Sequence, residues 1–375
     1  MTVRLDELQT PAFIVDLDRA RANATAMRDK ARISGVLLRP HVKTHKTIEG
    51  ARLQLGGEAG PITVSTLAEA EFFAAHGFDD ITYAVPIAPA KLDRVADLSR
   101  RLKRCSILLD GFEALAAVEA FAHSKSLRFS VFLKVDCGDH RAGVLPDDAA
   151  AIELVRSLAR SEAIRFEGLL THAGHSYRAT GPDQILRTAR EEAAAVAALA
   201  ETARGEGISV AVRSIGSTPT ASVVDRFPKV EEVRPGNYLF FDAFQAAIGS
   251  CRTEDVAVSV LATVIGRYPG QRRVVIDAGA LALSKDLGAE HVTGRREYGV
   301  VCDEHLRILP HLRLRGLSQE HGEIHCGEKR VEVPAVGARL RILPNHSCLT
   351  AAMFDRYWIV SGVEVVGEWA PARGW

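Results

Sequence analysis

No block of one charge sign stands in this sequence: Lys+Arg and Asp+Glu number 47 each, for a formal net charge of zero. The footprint that a nucleic-acid or anionic-membrane binder needs is missing, and neither partner is expected. Long apolar runs are missing too. The longest, Val256 to Ile265, is about half of the ~20 residues a membrane helix requires. The opening MTVRLDELQT lacks the apolar core of a signal peptide, so the expectation is a soluble, cytoplasmic protein. Cysteine is scattered: Cys105, Cys137, Cys251, Cys302, Cys326 and Cys348 show no CxxC or paired spacing. That excludes a disulfide framework and a four-cysteine zinc knuckle. The first strand-like run ends in PHVKTHK over residues 40–46, with no GxGxxG turn, which removes the signature of a dinucleotide-binding Rossmann fold.

What is present is a globular composition, 47% hydrophobic and 25% charged over 375 residues. That length suits one α/β barrel of ~250 residues plus a smaller domain. From Phe13 to Phe241, short aliphatic runs alternate with helical patterns. Strands are expected near Leu37–Val42, Ile62–Val64, Asp80–Ala84, Ser106–Leu109, Ser130–Val135, Glu167–Thr171, Ala211–Ile215 and Val230–Arg234. Eight such βα units suggest a closed (β/α)8 barrel of the TIM type. After about Ala247 the strand-like runs Val256–Gly266, Arg273–Asp277, Leu312–Leu317, Ala338–Leu343, Tyr357–Val360 and Glu364–Trp369 alternate with turn residues. The expected division is a barrel over 12–248 and a mostly β domain over 249–375, joined by residues 1–11.

Barrel chemistry sits where strands end. The first strand end offers His41, Lys43 and His45, the fifth leads into Asp136–Arg141, and the sixth offers His172, His175 and Tyr177. Gly216-Ser217-Thr218 and Pro235-Gly236-Asn237 follow the last two strands. Each can be an ordinary turn, or the two together can hold a phosphate. Lys43, flanked by His41, His45 and Lys46, is either part of a solvated basic loop or a partly desolvated amine suited to a Schiff base. A lysine and a phosphate site in one barrel mouth fit pyridoxal phosphate. In the second domain, His346-Ser347-Cys348 after a strand is either a buried thiol beside a satisfied histidine or a two-ligand metal site. If it is a metal site, the thiolate favours Zn2+. Gln319–Gly322 is a polar turn that can line the same site.

Six strings together carry a family resemblance: RPHVKTHKT (39–47), DCGDHRAG (136–143), GSTP (216–219), RPGNY (234–238), QEHG (319–322) and PNHSC (344–348). In this set the chain resembles the D-serine dehydratase and D-threonine aldolase family over nearly its whole length. The resemblance implies an alanine-racemase-like barrel with a β domain, pyridoxal phosphate, and a homodimer. It implies Lys43 as the Schiff-base lysine and Arg141 as the contact to the cofactor's phenolic oxygen. Tyr177 would lie on the pyridine-nitrogen side, and Ser217, Thr218, Gly236 and Asn237 would form the phosphate cradle. His346 and Cys348 would hold the divalent metal, Zn2+.

Within the family, aldolases generally show His-x-Asp and D-serine dehydratases His-x-Cys, so this chain falls on the dehydratase side. The residues after Tyr177, RATGPD, also lack the histidine that the aldolases place there. The expected activity is dehydration of a D-3-hydroxy amino acid, first of all D-serine to pyruvate and ammonia. D-threo-3-hydroxyaspartate as substrate, and retro-aldol cleavage to glycine and an aldehyde, are the alternatives. For a second substrate carboxylate, His175, Arg178 and His321 are the candidate cations.

Overall fold

In the computed structural model, residues 4–327 and 333–375 are described. The chain divides into two compact units, one of residues up to Ala24 with Asn237–Pro371, the other of Thr25–Gly236 with Ala372–Trp375.

The second of these is the barrel. Its eight strands are Leu37–Leu38, Ile62–Val64, Asp80–Pro86, Arg104–Leu109, Phe129–Lys134, Ile164–Leu170, Val212–Ile215 and Glu232–Val233. Neighbours in sequence pair in parallel, and the first pairs with the last. A bridge from His41 to Thr63 joins the first strand's extension to the second strand, which closes the ring. Strands such as Phe129–Lys134 are buried almost throughout, as parallel strands covered on both faces must be. The outer helices present a stripe: Ala149–Arg160 buries Ala151, Leu154, Val155 and Leu158, and Asp148 caps it by accepting from Ala150 N–H.

Inside the barrel, Leu108, Phe132 and Leu170 pack with Ala84 and Val212. A chain of charges also runs through the interior. Arg104 and Arg39 both pair with Asp80 (2.5 and 2.7 Å), Arg39 Nε donates to Glu232 (2.6 Å), and Ser214 Oγ donates to Glu232 and accepts from Arg234 Nε (both 2.6 Å). Arg39 is 1% exposed, so each charge depends on its neighbour for compensation.

The other unit is built on a nine-stranded sheet in the order Arg273–Ile276, Gly322–Cys326, Ile308–Leu317, Gly299–Cys302, Arg339–Pro344, Val258–Tyr268, Ala12–Asp16, Tyr357–Ser361, Glu364–Trp369. The long strand Val258–Tyr268 pairs with Arg339–Pro344 through its first half. After a register shift between Val264 and Gly266 it pairs with Arg273–Ile276, so six antiparallel strands form a second closed barrel. Ala12–Asp16 lies inside this sheet, paired on both edges, antiparallel to Val258–Tyr268 and parallel to Tyr357–Ser361. The stretch from 12 to 24 therefore belongs with the β unit, and the chain returns to that unit at Asn237 rather than near 249. Phe13 supplies the reason: its ring packs 4.8 Å from Tyr357 and 6.1 Å from Phe240, centroid to centroid. Among the described residues no helix is long and apolar enough to cross a membrane.

Candidate functional site

Lys43 occupies the turn Val42–Thr44 beyond the first barrel strand, and the His41 ring caps that turn by accepting from Lys43 N–H (3.5 Å). Val42, Thr44 and His45 are buried while Lys43 is exposed, so the backbone is held and the amine stands out from it. The desolvation expected at Lys43 falls on Lys134, at the end of the fifth strand. Lys134 is buried, donates to the Val135 carbonyl (2.9 Å), and is pushed down to about 8 by burial, with Arg234 and Arg141 adding to that effect.

The expected cationic neighbours of Lys43 also change. Burial drives His45 down to about 4, where it is neutral between Thr47 N–H and the Gln54 amide oxygen (3.1 and 2.9 Å). Lys46 pairs with Glu69 at 3.1 Å. His41 is held far below its ordinary value by burial, then by Lys43, Arg234 and His172. His172 is held down likewise by burial and Lys43, and its Nδ1 bonds the Gly216 carbonyl (3.0 Å). The mouth therefore combines the basic groups Lys43, Lys134, Arg141 and Arg234 with two neutral imidazoles, a field that favours an anionic ligand.

Arg141 is 63% exposed and lies 3.8 Å from Asp139. It ends a loop folded over Asp136, whose carboxylate accepts from Gly138 and His140 N–H (2.9 and 3.1 Å) and from the His140 ring (3.0 Å). Gly143 has φ +112, and a Cβ there would lie 2.7 Å from Asp136 N, so glycine is required. Tyr177 is half-buried in the turn Gly174–Arg178 after the sixth strand. Arg178 is 3.9 Å from Asp139, and His175 is 3.9 Å from Glu191.

At the seventh strand end, Ser217 is buried and caps the short helix Thr218–Val223, with its hydroxyl bonded to Thr220 and Ser176 (both 2.9 Å). Glu192, fully buried on the helix Pro182–Gly205, accepts from Ala173 N–H, Gly216 N–H and Thr220 Oγ (3.0, 2.9 and 3.0 Å). It pins the loops after the sixth and seventh strands together. Thr218 is buried at the first position of the short helix. Gly236 passes so close to His41 that a Cβ would lie 2.3 Å from the His41 carbonyl.

The β unit holds the other group. Asn237, expected in the phosphate cradle, commits its side-chain amide to Asp242 and Ser347 (3.0 and 2.7 Å), with Cys348 Sγ at 3.8 Å. His346 and Cys348 do not alternate on a strand. His346 is the N-cap of the helix Ser347–Ala352, and Cys348 lies in its first turn. Asp242, fully buried, accepts from Ser347 N–H (3.0 Å) and Oγ (3.2 Å). His346 Nδ1 bonds Asp286 at 2.9 Å. Against the lowering effect of burial, Asp286 and then Cys348 raise the imidazole to about 11. An imidazole and a thiol in contact, ringed by carboxylates, form a soft donor set that demands a cation, and so fit a divalent ion such as Zn2+. Among the described residues no third His, Cys, Asp or Glu completes a metal cluster. Two protein ligands leave positions for water or substrate, as in catalytic sites. Gln319–Gly322 is a plain turn, with Ser318 N–H donating to the His321 carbonyl (2.9 Å), against Gly279, where a Cβ would lie 2.4 Å from the Gln319 carbonyl.

Lys134, Glu192, Asp242 and Asp286 escaped the sequence reading. Lys134 alone carried a signal, as a charged residue closing an otherwise apolar strand.

The alanine racemase N-terminal domain family matches residues 15–243, and the putative serine dehydratase domain matches residues 257–360. A D-threo-3-hydroxyaspartate dehydratase of Delftia sp. (strain HT23) is 40% identical over 373 residues, covering 98% of each chain. A D-serine dehydratase of Dictyostelium discoideum is 35% identical over 395 residues, covering 99% of this chain and 98% of its own. A solved structure of D-threo-3-hydroxyaspartate dehydratase, a cysteine-to-alanine mutant in the metal-free form, has a TM-score of 0.94 at 40% identity and covers 100% of both chains.

Proposed function

The chain belongs to the family that joins an alanine racemase N-terminal domain to a serine dehydratase domain, and on that premise we propose a pyridoxal-phosphate- and Zn2+-dependent dehydratase of D-3-hydroxy amino acids. D-serine would yield pyruvate and ammonia, and D-threo-3-hydroxyaspartate oxaloacetate and ammonia. Lys43 would hold the cofactor's aldehyde through Nζ, Arg141 its phenolic oxygen, and Tyr177 its ring nitrogen. Ser217, Thr218, Gly236 and the backbone at Asn237 would border its phosphate. His346 and Cys348 would hold the metal.

Bound pyridoxal phosphate supplies a sink for the electrons left on the α-carbon, and a divalent ion supplies Lewis acidity for a departing hydroxide. The Lys43 Nζ would accept the α-proton from the one face that a D-substrate presents. The Tyr177 hydroxyl, a neutral group, would favour an uncharged ring nitrogen there, so that proton removal alone would gain little. The neutral imidazoles of His41 and His172 add no positive charge to the mouth, and the field of Lys43, Lys134, Arg141 and Arg234 would draw an anionic substrate to it.

The observation that carries the dehydratase reading is the His346–Cys348 pair backed by Asp286. Loss of a hydroxyl needs an acid at the β-oxygen, whereas racemisation has no use for one. The proposal takes the enzyme to be cytoplasmic and a homodimer; light scattering tests the dimer and cell fractionation the location. The activity is tested by supplying D-serine, D-threonine and D-threo-3-hydroxyaspartate, with L-isomers as controls, to protein reconstituted with pyridoxal phosphate and Zn2+. A 2-oxo acid and ammonia from D-substrates alone are expected. Glycine and an aldehyde would make the protein an aldolase and overturn the reading.

A further inference from the structure

The segment Ser284–Gly288, some sixty residues before the His-x-Cys pair, is fastened to it on three sides. Asp286 Oδ2 bonds His346 Nδ1 at 2.9 Å. The Asp286 carbonyl accepts from the Asn345 amide at 2.9 Å, and the same amide donates to the Glu297 carbonyl at 2.6 Å. Just before the segment, the Leu283 carbonyl accepts from Thr350 Oγ at 3.2 Å. The carboxylate is itself immobilised, because Gly288 N–H donates to Asp286 Oδ1 at 2.7 Å. Gly288 has φ +66, and a Cβ there would lie 2.8 Å from the Asn345 side chain. The turn is thus tight enough to fix both carboxylate oxygens.

We propose that Asp286 is the positioning residue of the metal pair: it holds the His346 ring by Nδ1–H so that Nε2 is the nitrogen offered to a divalent ion. The proposal rests on the reading that His346 and Cys348 bind a metal. A carboxylate on the far nitrogen of a ligating imidazole fixes the tautomer and ring orientation and strengthens the imidazole as a donor. Asp242 holds Ser347 between the two ligands, so the pair is fastened by carboxylates from two separate segments, both earlier in the chain. Asp286 touches neither substrate nor cofactor in this account and acts only through His346.

The test is the affinity of cofactor-loaded protein for Zn2+, measured by competition with a chromogenic chelator, on the parent, Asp286→Asn and Asp286→Ala. Removing such a partner costs about 10- to 100-fold in metal affinity, which is the loss expected for Asp286→Ala. Asp286→Asn can still accept from Nδ1–H and should fall between the two. With Co2+ in place of Zn2+, the Cys348 thiolate-to-metal band should persist in both variants while the ligand-field bands shift. Cofactor absorbance should be unchanged, which separates the effect from general unfolding. Parent-like affinity and Co2+ spectra in Asp286→Ala would overturn the proposal alone. Should Asp286→Ala fail to fold, parent-like affinity in Asp286→Asn together with unshifted Co2+ bands would overturn it, and an intermediate affinity would support it. A parent protein that binds neither Zn2+ nor Co2+ would overturn the metal reading and this proposal with it.

Discussion

Lowering the pH from about 7.5 to about 5 should unseat the turn that carries Lys43, because His45 behind it is folded in its neutral form. The His45 ring accepts from Thr47 N–H and bonds the Gln54 amide oxygen, with Gly50 so near that a Cβ there would lie 2.5 Å from Nδ1. Burial brings it from the ordinary 6.5 to about 4. The unfolded chain therefore takes up the proton first. The stabilisation is present above pH 6.5 and is lost progressively as pH falls towards 4. At about 1.36 kcal/mol per pH unit, roughly 2 kcal/mol should be gone by pH 5, and about 3 kcal/mol in full. The assay is urea unfolding at the two pH values for the parent and for His45→Asn, which cannot titrate. His41 and His172 contribute with the same sign in both proteins, so the difference between the two pH-induced losses isolates His45. A variant that loses as much stability as the parent would refute the argument.

Lys43→Ala should reduce turnover by at least about 100-fold, the lower range for loss of a positioned acid–base group, and abolish the cofactor's imine absorbance without a change in circular dichroism. Cys348→Ala, or prolonged EDTA treatment of the parent, should leave the cofactor bound and remove ammonia release; only the EDTA-treated parent should recover on adding Zn2+. Glu232→Ala should destabilise the protein by about 3 kcal/mol, the lower end for breaking a buried ion pair, since it removes one of the two carboxylates on Arg39 and one of the two near Arg234. Equilibrium unfolding measures this, and Glu232→Gln, which keeps the acceptor for Arg39 and Ser214, should cost less.

The barrel was legible because each βα unit carries its own local pattern; the runs near Ser130–Val135 and Glu167–Thr171 appear as Phe129–Lys134 and Ile164–Leu170. Ala12–Asp16 was not, since nothing in its five residues tells that its partners lie at 258–261 and 358–360. Gly299–Cys302 and Gly322–Cys326 are short and open on glycine, which hides strand periodicity. The His-x-Cys pair was visible as a motif. Asp242 and Asp286 were not, because a carboxylate 105 or 60 residues from its partner leaves no trace in spacing. The charge state of the neighbours of Lys43 was hidden for a physical reason. Of the basic residues adjacent in sequence, His45 is turned inward onto Gln54 and Lys46 is paired with Glu69, while buried His41 stays beside Lys43 and is kept neutral by burial, then by Lys43, Arg234 and His172.

The pairing of Ala12–Asp16 on both edges bears on how the chain is made. This strand leaves the ribosome ahead of the whole barrel, yet the residue that pairs with Val15 is Val258. At about 5–20 residues per second, an apolar stretch of Phe13, Ile14 and Val15 waits some 12–50 s with both edges open. The whole of the (β/α)8 ring is translated in that interval and can close before the waiting strand finds a partner. An unpaired apolar strand recruits other unpaired strands, so the hazard in producing this protein lies at Ala12–Asp16, during synthesis, rather than in the finished barrel.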